Sequence, residues 1–209
     1  MPLYKSLIID ADTKLLVWQN TEPLEELYNA VNLKDVCEQK LAKMKSEQHQ
    51  KGFLGVRKLM QHIGYTDFDL FYDPNGKPHL KDGRNISITH SYAYSAILVS
   101  SRQAGIDMEM QREKIITISA KFLDKEFAFL DTTHKDYIRM LTVLWGVKES
   151  VYKMVSRKGL SFKRDVEVFP FELESGRGET AFSFEDVKAR VTFHFLEMEG
   201  FTLVYCLGL

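Results

Sequence analysis

Strand-like and helix-like segments alternate irregularly along this chain, and that order most limits the folds open to it. Four short runs rich in β-branched and aromatic residues close the sequence: 166–169, 180–184, 189–196 and 201–207. Glu199-Gly200 supplies a hairpin turn before the last run, and a long amphipathic helix is predicted over 135–155. Because no regular βαβ repeat is present, the pattern predicts an α+β fold rather than a doubly wound parallel sheet.

The first half of the chain contains the same mixture of elements. Strands are predicted at 3–9, 14–18, 86–91, 96–100 and 104–109, the last beginning the second half. Helices are predicted from 22 to 31 and, as one continuous lysine-rich segment, from Lys34 to Met60, with a further helix over 115–130. Each half thus combines strands with a long helix. We predict two similar α+β lobes, an N-terminal lobe at 1–101 and a C-terminal lobe at 102–209.

Composition excludes several classes of protein. Hydrophobic residues make up 44% of the 209 residues and charged residues 27%, as in ordinary globular chains. Lys and Arg number 28 against 29 Asp and Glu, so no overall positive charge favours nucleic acid or an anionic membrane. No apolar run approaches the roughly 18 residues of a membrane span. Cys37 and Cys206 lack metal-site spacing, and Asp10 and Asp12 interrupt any signal-peptide core. We expect a cytoplasmic soluble protein.

Two acidic residues stand two apart in the strand-like run at 104–109. Asp107 and Glu109 therefore project from the same face of that strand. Neighbouring carboxylates repel each other, which costs stability unless a cation or a shared proton compensates. Such oxygen ligands suit Mg²⁺, which takes one or two carboxylates together with phosphate oxygens. A solvent-facing strand edge is the commoner explanation of an isolated pair of this kind.

The predicted helix at 135–155 places a lysine, Lys148, inside its apolar stripe. The ammonium group of such a lysine either reaches out to solvent or is held there for a purpose. Glu149 and Lys153 lie four residues apart on one flank. Their ordinary interpretation is an exposed ion pair worth roughly 0.3–0.5 kcal/mol. The functional interpretation places Glu149 beside a cation held by the strand carboxylates and directs both lysines to phosphates.

Four motifs occur in a specific order. They are Asn75-Gly-Lys-Pro-His-Leu80, Ile86-Ser-Ile-Thr-His-Ser91, Gly105-Ile-Asp-Met-Glu109 and Trp145-Gly-Val-Lys-Glu-Ser-Val-Tyr-Lys153. Lys158-Gly-Leu160 follows them, and a segment ending at Glu126 matches more weakly. Together these motifs resemble the 4′-phosphopantetheinyl transferases, specifically the larger single-chain type that activates synthetase and acyl carrier proteins. The resemblance covers residues 50–160 and is loose in the lysine-rich N-terminal region and the C-terminal strands.

The resemblance implies a pseudo-dimer of two α+β lobes within one chain, with coenzyme A in the cleft between them. It implies a holo acyl-carrier-protein synthase activity, in which the phosphopantetheine arm of coenzyme A moves to a serine of an apo acyl or peptidyl carrier protein. Mg²⁺ would be the cofactor and adenosine 3′,5′-bisphosphate the second product. A two-lobed chain needs no partner subunit, so we expect a monomer. Carriers of the fatty-acid, polyketide, peptide-synthetase and aminoadipate pathways all remain open.

The same resemblance assigns roles to individual residues. It makes Asp107, Glu109 and Glu149 the metal ligands. It makes Asp107, Glu149 and Lys153 catalytic, with Glu149 as the general base, acting directly or through a water molecule. The implied coenzyme contacts are Lys51, Arg57, Lys77, Thr89, His90, Lys148 and Lys153, of which Lys77 and His90 would lie near the 3′-phosphate. Two positions depart from the family pattern: Thr89 replaces a frequent serine, and Gly146 replaces a hydroxyl or thiol residue.

These residue types suit phosphoryl-type transfer, which depends mainly on positioning and on neutralising charge at the phosphate oxygens. No Gly-rich phosphate loop and no Ser/His/Asp triad competes with them in the sequence. Two other functions would use the same residues. A magnesium-dependent phosphohydrolase would use water as its nucleophile, and a catalytically silent protein would bind a carrier protein or nucleotide without turnover.

Overall fold

The computed structural model describes residues 3–208 of the chain. It divides into two compact units, of which the first ends at Ser101 and the second begins at Arg102. Each unit combines one antiparallel sheet with helices, which confirms the predicted α+β class. Within residues 3–208, no helix is both long and apolar enough to cross a membrane.

The first unit is built on a sheet of six strands among its described residues. They are β1 (Leu3–Asp10), β2 (Thr13–Gln19), β3 (Leu70–Tyr72), β4 (Pro78–Leu80), β5 (Asn85–Ser91) and β6 (Tyr94–Ser100). Their spatial order is β1-β2-β6-β5-β4-β3, with every neighbouring pair antiparallel. The β3–β4 hairpin turns at Asn75-Gly76, where Gly76 has the positive φ of 85° that glycine adopts without strain. The sequence predicted this turn but not β3.

Three helices of the first unit are α1 (Leu24–Asn29), α2 (Asp35–Ala42) and α3 (Glu47–His62). Val56, Leu59 and Met60 of α3 pack against the sheet, whereas its Phe53 and Leu54 pack against α1 and α2. The predicted single helix from Lys34 to Met60 is wrong, because the chain breaks between α2 and α3. A new helix begins after Ser46, whose hydroxyl accepts a hydrogen bond from the backbone N–H of His49 at 3.4 Å.

The second unit contains a five-stranded antiparallel sheet among its described residues. Its strands are β7 (Ala104–Met110), β8 (Val166–Val168), β9 (Arg177–Phe184), β10 (Val187–Met198) and β11 (Phe201–Leu207), in the order β7-β11-β10-β9-β8. The predicted hairpin at Glu199-Gly200 is confirmed, since Met198 pairs with Phe201 across it.

The helices of the second unit are α4 (Lys114–Phe122), α5 (Tyr137–Val155) and α6 (Phe162–Asp165). The predicted helix over 115–130 ends early, at Phe122, and a short 3-10 turn follows at Lys125–Phe129. One face of α5 carries Leu144, Val147 and Val151 into the core of this unit, beneath the sheet. Helix α5 packs against β7, so the motifs at 105–109 and 145–153 lie on adjacent elements.

Candidate functional site

Two glycines set the distance between α5 and the sheet. A Cβ atom at Gly105 of β7 would lie 1.8 Å from the carbonyl oxygen of Ser150 on α5. A Cβ atom at Gly146 would lie 2.6 Å from a methyl carbon of Val204 on β11. Larger side chains at either position would push the helix away from the strands. Gly146, a departure from the family pattern, therefore has a packing role in this chain.

The close approach of α5 brings Lys153 to Asp107. The ammonium nitrogen of Lys153 lies 2.7 Å from Oδ1 of Asp107 and 3.0 Å from the carbonyl oxygen of Ile106. The side chain of Asp107 is only 6% exposed, whereas that of Lys153 is 28% exposed. Neither of the two sequence-based interpretations of Lys153 included this contact. The exposed Glu149–Lys153 pair is absent from the ion pairs formed within residues 3–208.

The three predicted metal ligands influence one another electrostatically. Burial, and next the charge of Asp107, raise the pKa of Glu149 from its ordinary value of 4.5 to about 7. Lys153 opposes this shift and Glu109 adds to it. Burial and the charge of Asp107 likewise raise the pKa of Glu109. Three carboxyl groups thus share one region, and their mutual repulsion favours any added positive charge.

Trp145 and Arg112 surround Glu109. Trp145 donates a side-chain hydrogen bond to the carboxylate of Glu109, and Arg112 adds positive charge nearby; both partly offset the raised pKa. The indole ring of Trp145 is held between Phe122 and Phe162, with ring centroids 5.0 and 5.6 Å away in edge-to-face geometry. The motif tryptophan therefore helps to orient a site carboxylate.

Lys148 has a structural environment that differs from the predicted one. Its side chain is fully buried, and its ammonium nitrogen lies 2.7 Å from the Glu126 carboxylate. It also donates to the carbonyl oxygens of Phe162 at 2.9 Å and Val166 at 2.7 Å. All three ammonium donors thus have acceptors within the protein. Lys148 was predicted to contact coenzyme phosphates, and we leave it out of the site because its donors are already used.

Arg57 also differs from its predicted role. Only 3% of it is exposed, and its Nε donates to Asp67 at 3.0 Å. Its guanidinium carbon lies 3.5 Å from the centroid of the Phe53 ring, within the helical layer of the first unit. The interpretation of Arg57 as a phosphate contact is therefore revised to a structural one.

One predicted coenzyme residue of the first unit, His90, packs against α3. The imidazole ring of His90, at the exposed end of β5, packs over Gly52 of α3, where a Cβ atom would approach it to 3.1 Å. Lys51 precedes that glycine, and its ammonium group is 3.1 Å from Glu47. Thr89 is buried beneath the surface. The glycine at position 52 thus lets the His90 ring pack closely against α3.

Lys77 lies in the β3–β4 turn. Its backbone N–H donates to Asp73 at 3.0 Å, which closes the turn. Burial lowers the pKa of the Lys77 side chain, and Asp73 opposes that change. The side chain is half-buried, and its place near the 3′-phosphate of coenzyme A stays a prediction.

The donor chemistry of the site fits Mg²⁺, although a complete cage of protein ligands is not formed. Within residues 3–208, no three His, Cys, Asp or Glu side chains are arranged to hold a metal ion. Mg²⁺ does not need such a cage, because it commonly binds one or two carboxylates and takes its other ligands from water and phosphate. Asp107, Glu109 and Glu149 supply oxygen ligands, and burial together with the charge of Asp107 raises the pKa values of Glu109 and Glu149.

The motif-bearing part of the second unit matches a known family. Residues 103–206 match the family model described as the 4′-phosphopantetheinyl transferase superfamily. Residues 103–206 therefore form a domain of this superfamily, whose members transfer phosphopantetheine and generally use coenzyme A and Mg²⁺. The match contains β7 and α5, and so every predicted metal ligand. The larger single-chain subtype stays a prediction. No curated protein matched the chain.

The sequence identifies the motif residues but not the residues that they contact in the structure. Glu126, the acceptor of Lys148, was noted only as part of a weak family segment. Its side chain is 2% exposed and accepts backbone hydrogen bonds from Asp124 and Val168. The sequence feature that could have indicated such a partner is Lys148, because a lysine buried within an apolar stripe requires an acidic partner.

Proposed function

We propose that this protein transfers the 4′-phosphopantetheine arm of coenzyme A to a serine of an apo acyl or peptidyl carrier protein. Adenosine 3′,5′-bisphosphate is the other product. One observation carries the proposal: Asp107, Glu109 and Glu149 form an electrostatically coupled carboxylate cluster with Lys153 beside it, inside the domain that matches the transferase superfamily. We name this arrangement the β7–α5 cluster.

The reaction joins the serine Oγ of the carrier to the β-phosphorus of coenzyme A. The bond from that phosphorus to the oxygen bridging to the α-phosphorus breaks, and the bisphosphate leaves with that oxygen. The serine proton needs an acceptor near neutral pH. Glu149, acting directly or through a water molecule, is the residue that we assign to accept it. Mg²⁺, when held by Asp107, Glu109 and Glu149, would neutralise charge on the phosphate oxygens.

The remaining charge is neutralised by lysines and a histidine. Lys153 lies at the β7–α5 cluster and is the lysine of α5 that we assign to the pyrophosphate. Lys77 and His90 are the residues of the first unit that we assign to the 3′-phosphate, and Lys51 and Thr89 are further residues of that unit that we assign to the coenzyme. Phosphate groups are bound well by lysines that act as point charges.

The test is to incubate the protein with coenzyme A, Mg²⁺ and an apo carrier protein, and then to weigh the carrier by mass spectrometry. A gain of the phosphopantetheine mass, with matching release of adenosine bisphosphate, is the expected result. Asp107→Asn is the matched control, because it keeps the size of the side chain but removes its charge.

Two other results would each overturn the proposal in a defined way. Bisphosphate release without modification of the carrier would indicate a phosphohydrolase. No product with any of several carrier types, from fatty-acid, polyketide and peptide-synthetase systems, would indicate a protein that only binds.

A further inference from the structure

The ammonium group of Lys153 occupies the position that a bound cation would need. It lies 2.7 Å from Oδ1 of Asp107 and is fixed further by the carbonyl oxygen of Ile106 at 3.0 Å. Asp107 is a buried carboxylate whose charge acts on the carboxyl groups of Glu109 on β7 and Glu149 on α5. A buried charge of this kind requires a counter-charge, and Lys153 supplies it in this structure.

We propose that Lys153 is an exchangeable counter-ion: it neutralises Asp107 in the cation-free protein and is displaced when a divalent cation binds there. The inference rests on the proposed function, because it takes Asp107 to be a cation ligand. It goes beyond that function because Lys153 then has two successive partners, first Asp107 and then a phosphate group. Displacement from Asp107 is the step that makes its ammonium group available to a phosphate.

Two features of Lys153 suit it to such an exchange. Its side chain is 28% exposed, so part of its stem can move without disturbing the core. It lies in the last turn of α5, where Ser156 ends the helix with a left-handed φ of 52°, so its position is at the edge of the helical framework. A flexible four-carbon stem allows the charged end to move while the backbone stays fixed.

The exchange has a thermodynamic consequence. Lys153 and a divalent cation compete for one carboxylate, so each must weaken the binding of the other. Removal of Lys153 should therefore tighten cation binding. It should also leave the cation-free protein less stable, because Asp107 then has no adjacent ammonium group, and a bound cation should restore that stability.

The test compares four proteins: the wild type, Lys153→Met, Lys153→Arg and Arg112→Met. Arg112 is the matched control, because it adds positive charge near Glu109, whereas Lys153 forms an ion pair with Asp107. Mn²⁺ affinity is measured by electron paramagnetic resonance, and the melting temperature is measured with Mg²⁺ and with EDTA. We expect Lys153→Met to bind Mn²⁺ at least about tenfold more tightly, which corresponds to about 1.4 kcal/mol. Arg112→Met should change the affinity clearly less, and Lys153→Arg should stay close to wild type.

A second measurement uses the wild-type protein alone. The nitrogen-15 resonance of the Lys153 ammonium group, assigned by comparison with Lys153→Arg, should shift when Mg²⁺ is added without coenzyme A. This measurement remains decisive if Lys153→Met does not fold. An unchanged resonance in the presence of saturating Mg²⁺ would show that the lysine stays on Asp107 and would overturn the inference.

The remaining outcomes separate this inference from the proposed function. If Lys153→Met binds Mn²⁺ no more tightly than wild type, and wild type modifies the carrier, the exchange is wrong and the transferase function stands. If cation binding does displace Lys153, but wild type does not modify any carrier, the exchange stands and the transferase function falls.

Discussion

Helix α5 carries two lysines, five residues apart, and each lies 2.7 Å from a carboxylate. The Lys148–Glu126 pair is fully enclosed: Lys148 has three acceptors, and Glu126 also accepts backbone hydrogen bonds from Asp124 and Val168. The Lys153–Asp107 pair is different. Lys153 is partly exposed, and the carboxylate of Asp107, with which it pairs, lies in a region with other carboxyl groups whose charges interact. The two ion pairs thus have the same nitrogen–oxygen distance but lie in two different kinds of site.

The two sites differ in whether their surroundings favour or disfavour the ionised form of the carboxyl groups. The hydrogen bonds from Lys148 and from backbone N–H groups outweigh burial and lower the pKa of Glu126, so its carboxylate stays ionised. At the β7–α5 cluster, burial and like charges raise the pKa values of Glu109 and Glu149. A satisfied pair stabilises the fold, whereas a cluster with excess negative charge is poised to bind a cation.

The largest expected effect is the loss of the enclosed pair. Lys148→Met should reduce the free energy of unfolding by about 3–5 kcal/mol, because it leaves the Glu126 carboxylate buried without its counter-charge. Urea denaturation measures this loss directly. The matched control is Lys125→Met, which breaks an equally short 2.7 Å pair with Glu167 on the surface. It should change stability very little.

Two results would contradict that assignment of Lys148. One is a loss of less than about 1 kcal/mol in Lys148→Met, which would mean that the pair contributes no more than a surface pair. The other is recovery of the lost stability on addition of Mg²⁺, which would make Lys148 part of the cation site. The double variant Glu126→Leu with Lys148→Met should regain part of the loss, because no charge then remains buried.

The next effect concerns activity rather than stability. Asp107→Ala should lower kcat/KM for coenzyme A by about a hundredfold or more at limiting Mg²⁺, because the cluster loses a ligand and its charge. The fold should remain intact, since the substitution also relieves repulsion with Glu109 and Glu149. Glu109→Ala should cost less, because a water molecule can replace one Mg²⁺ ligand. Near-normal turnover by Asp107→Ala would disprove its role as a metal ligand.

The faces on which the site carboxylates lie could be predicted from the sequence, because they follow from local periodicity. Asp107 and Glu109 share a face because strand side chains alternate, and Glu149 and Lys153 share a flank because helical residues four apart are neighbours. The resemblance to a known family placed both segments in one region. The structure brings them together on adjacent elements, and its two close-contact glycines, Gly105 and Gly146, show how.

The partners of the buried cations could not be predicted in the same way. Arg57 meets Asp67 and Lys148 meets Glu126 through loops whose paths depend on the packing of the whole unit. Periodicity shows which face of a helix is apolar, but it does not show which distant acid reaches into that face. The break before α3 was missed because the helical pattern of the sequence is continuous there. In the structure, Ser46 caps the start of a new helix within that pattern.

The smallest expected effect is a pH dependence of stability that arises from Glu149 in the β7–α5 cluster. The folded-state pKa of Glu149 is about 7 and its ordinary value is 4.5, so the folded protein binds a proton more tightly than the unfolded chain does. Its contribution to stability is therefore fully present below about pH 4.5 and is lost as the pH rises through 7. Glu149→Gln removes this dependence.

In EDTA, Glu149→Gln and the wild type should accordingly be equally stable near pH 4.5 and should diverge as the pH rises. By about pH 8 the variant should be more stable by about 2 kcal/mol, since each unit of pKa shift corresponds to about 1.4 kcal/mol and partial exposure reduces the total. Mg²⁺ should stabilise the wild type at pH 8 and the variant less, because the cation favours the charged carboxylate that the variant lacks. Glu113→Gln, at an exposed glutamate before α4, is the control and should show no such divergence. A constant difference between Glu149→Gln and wild type across this pH range would mean that Glu149 is ionised throughout, and the cluster would then resemble the enclosed pair of Lys148 rather than differ from it.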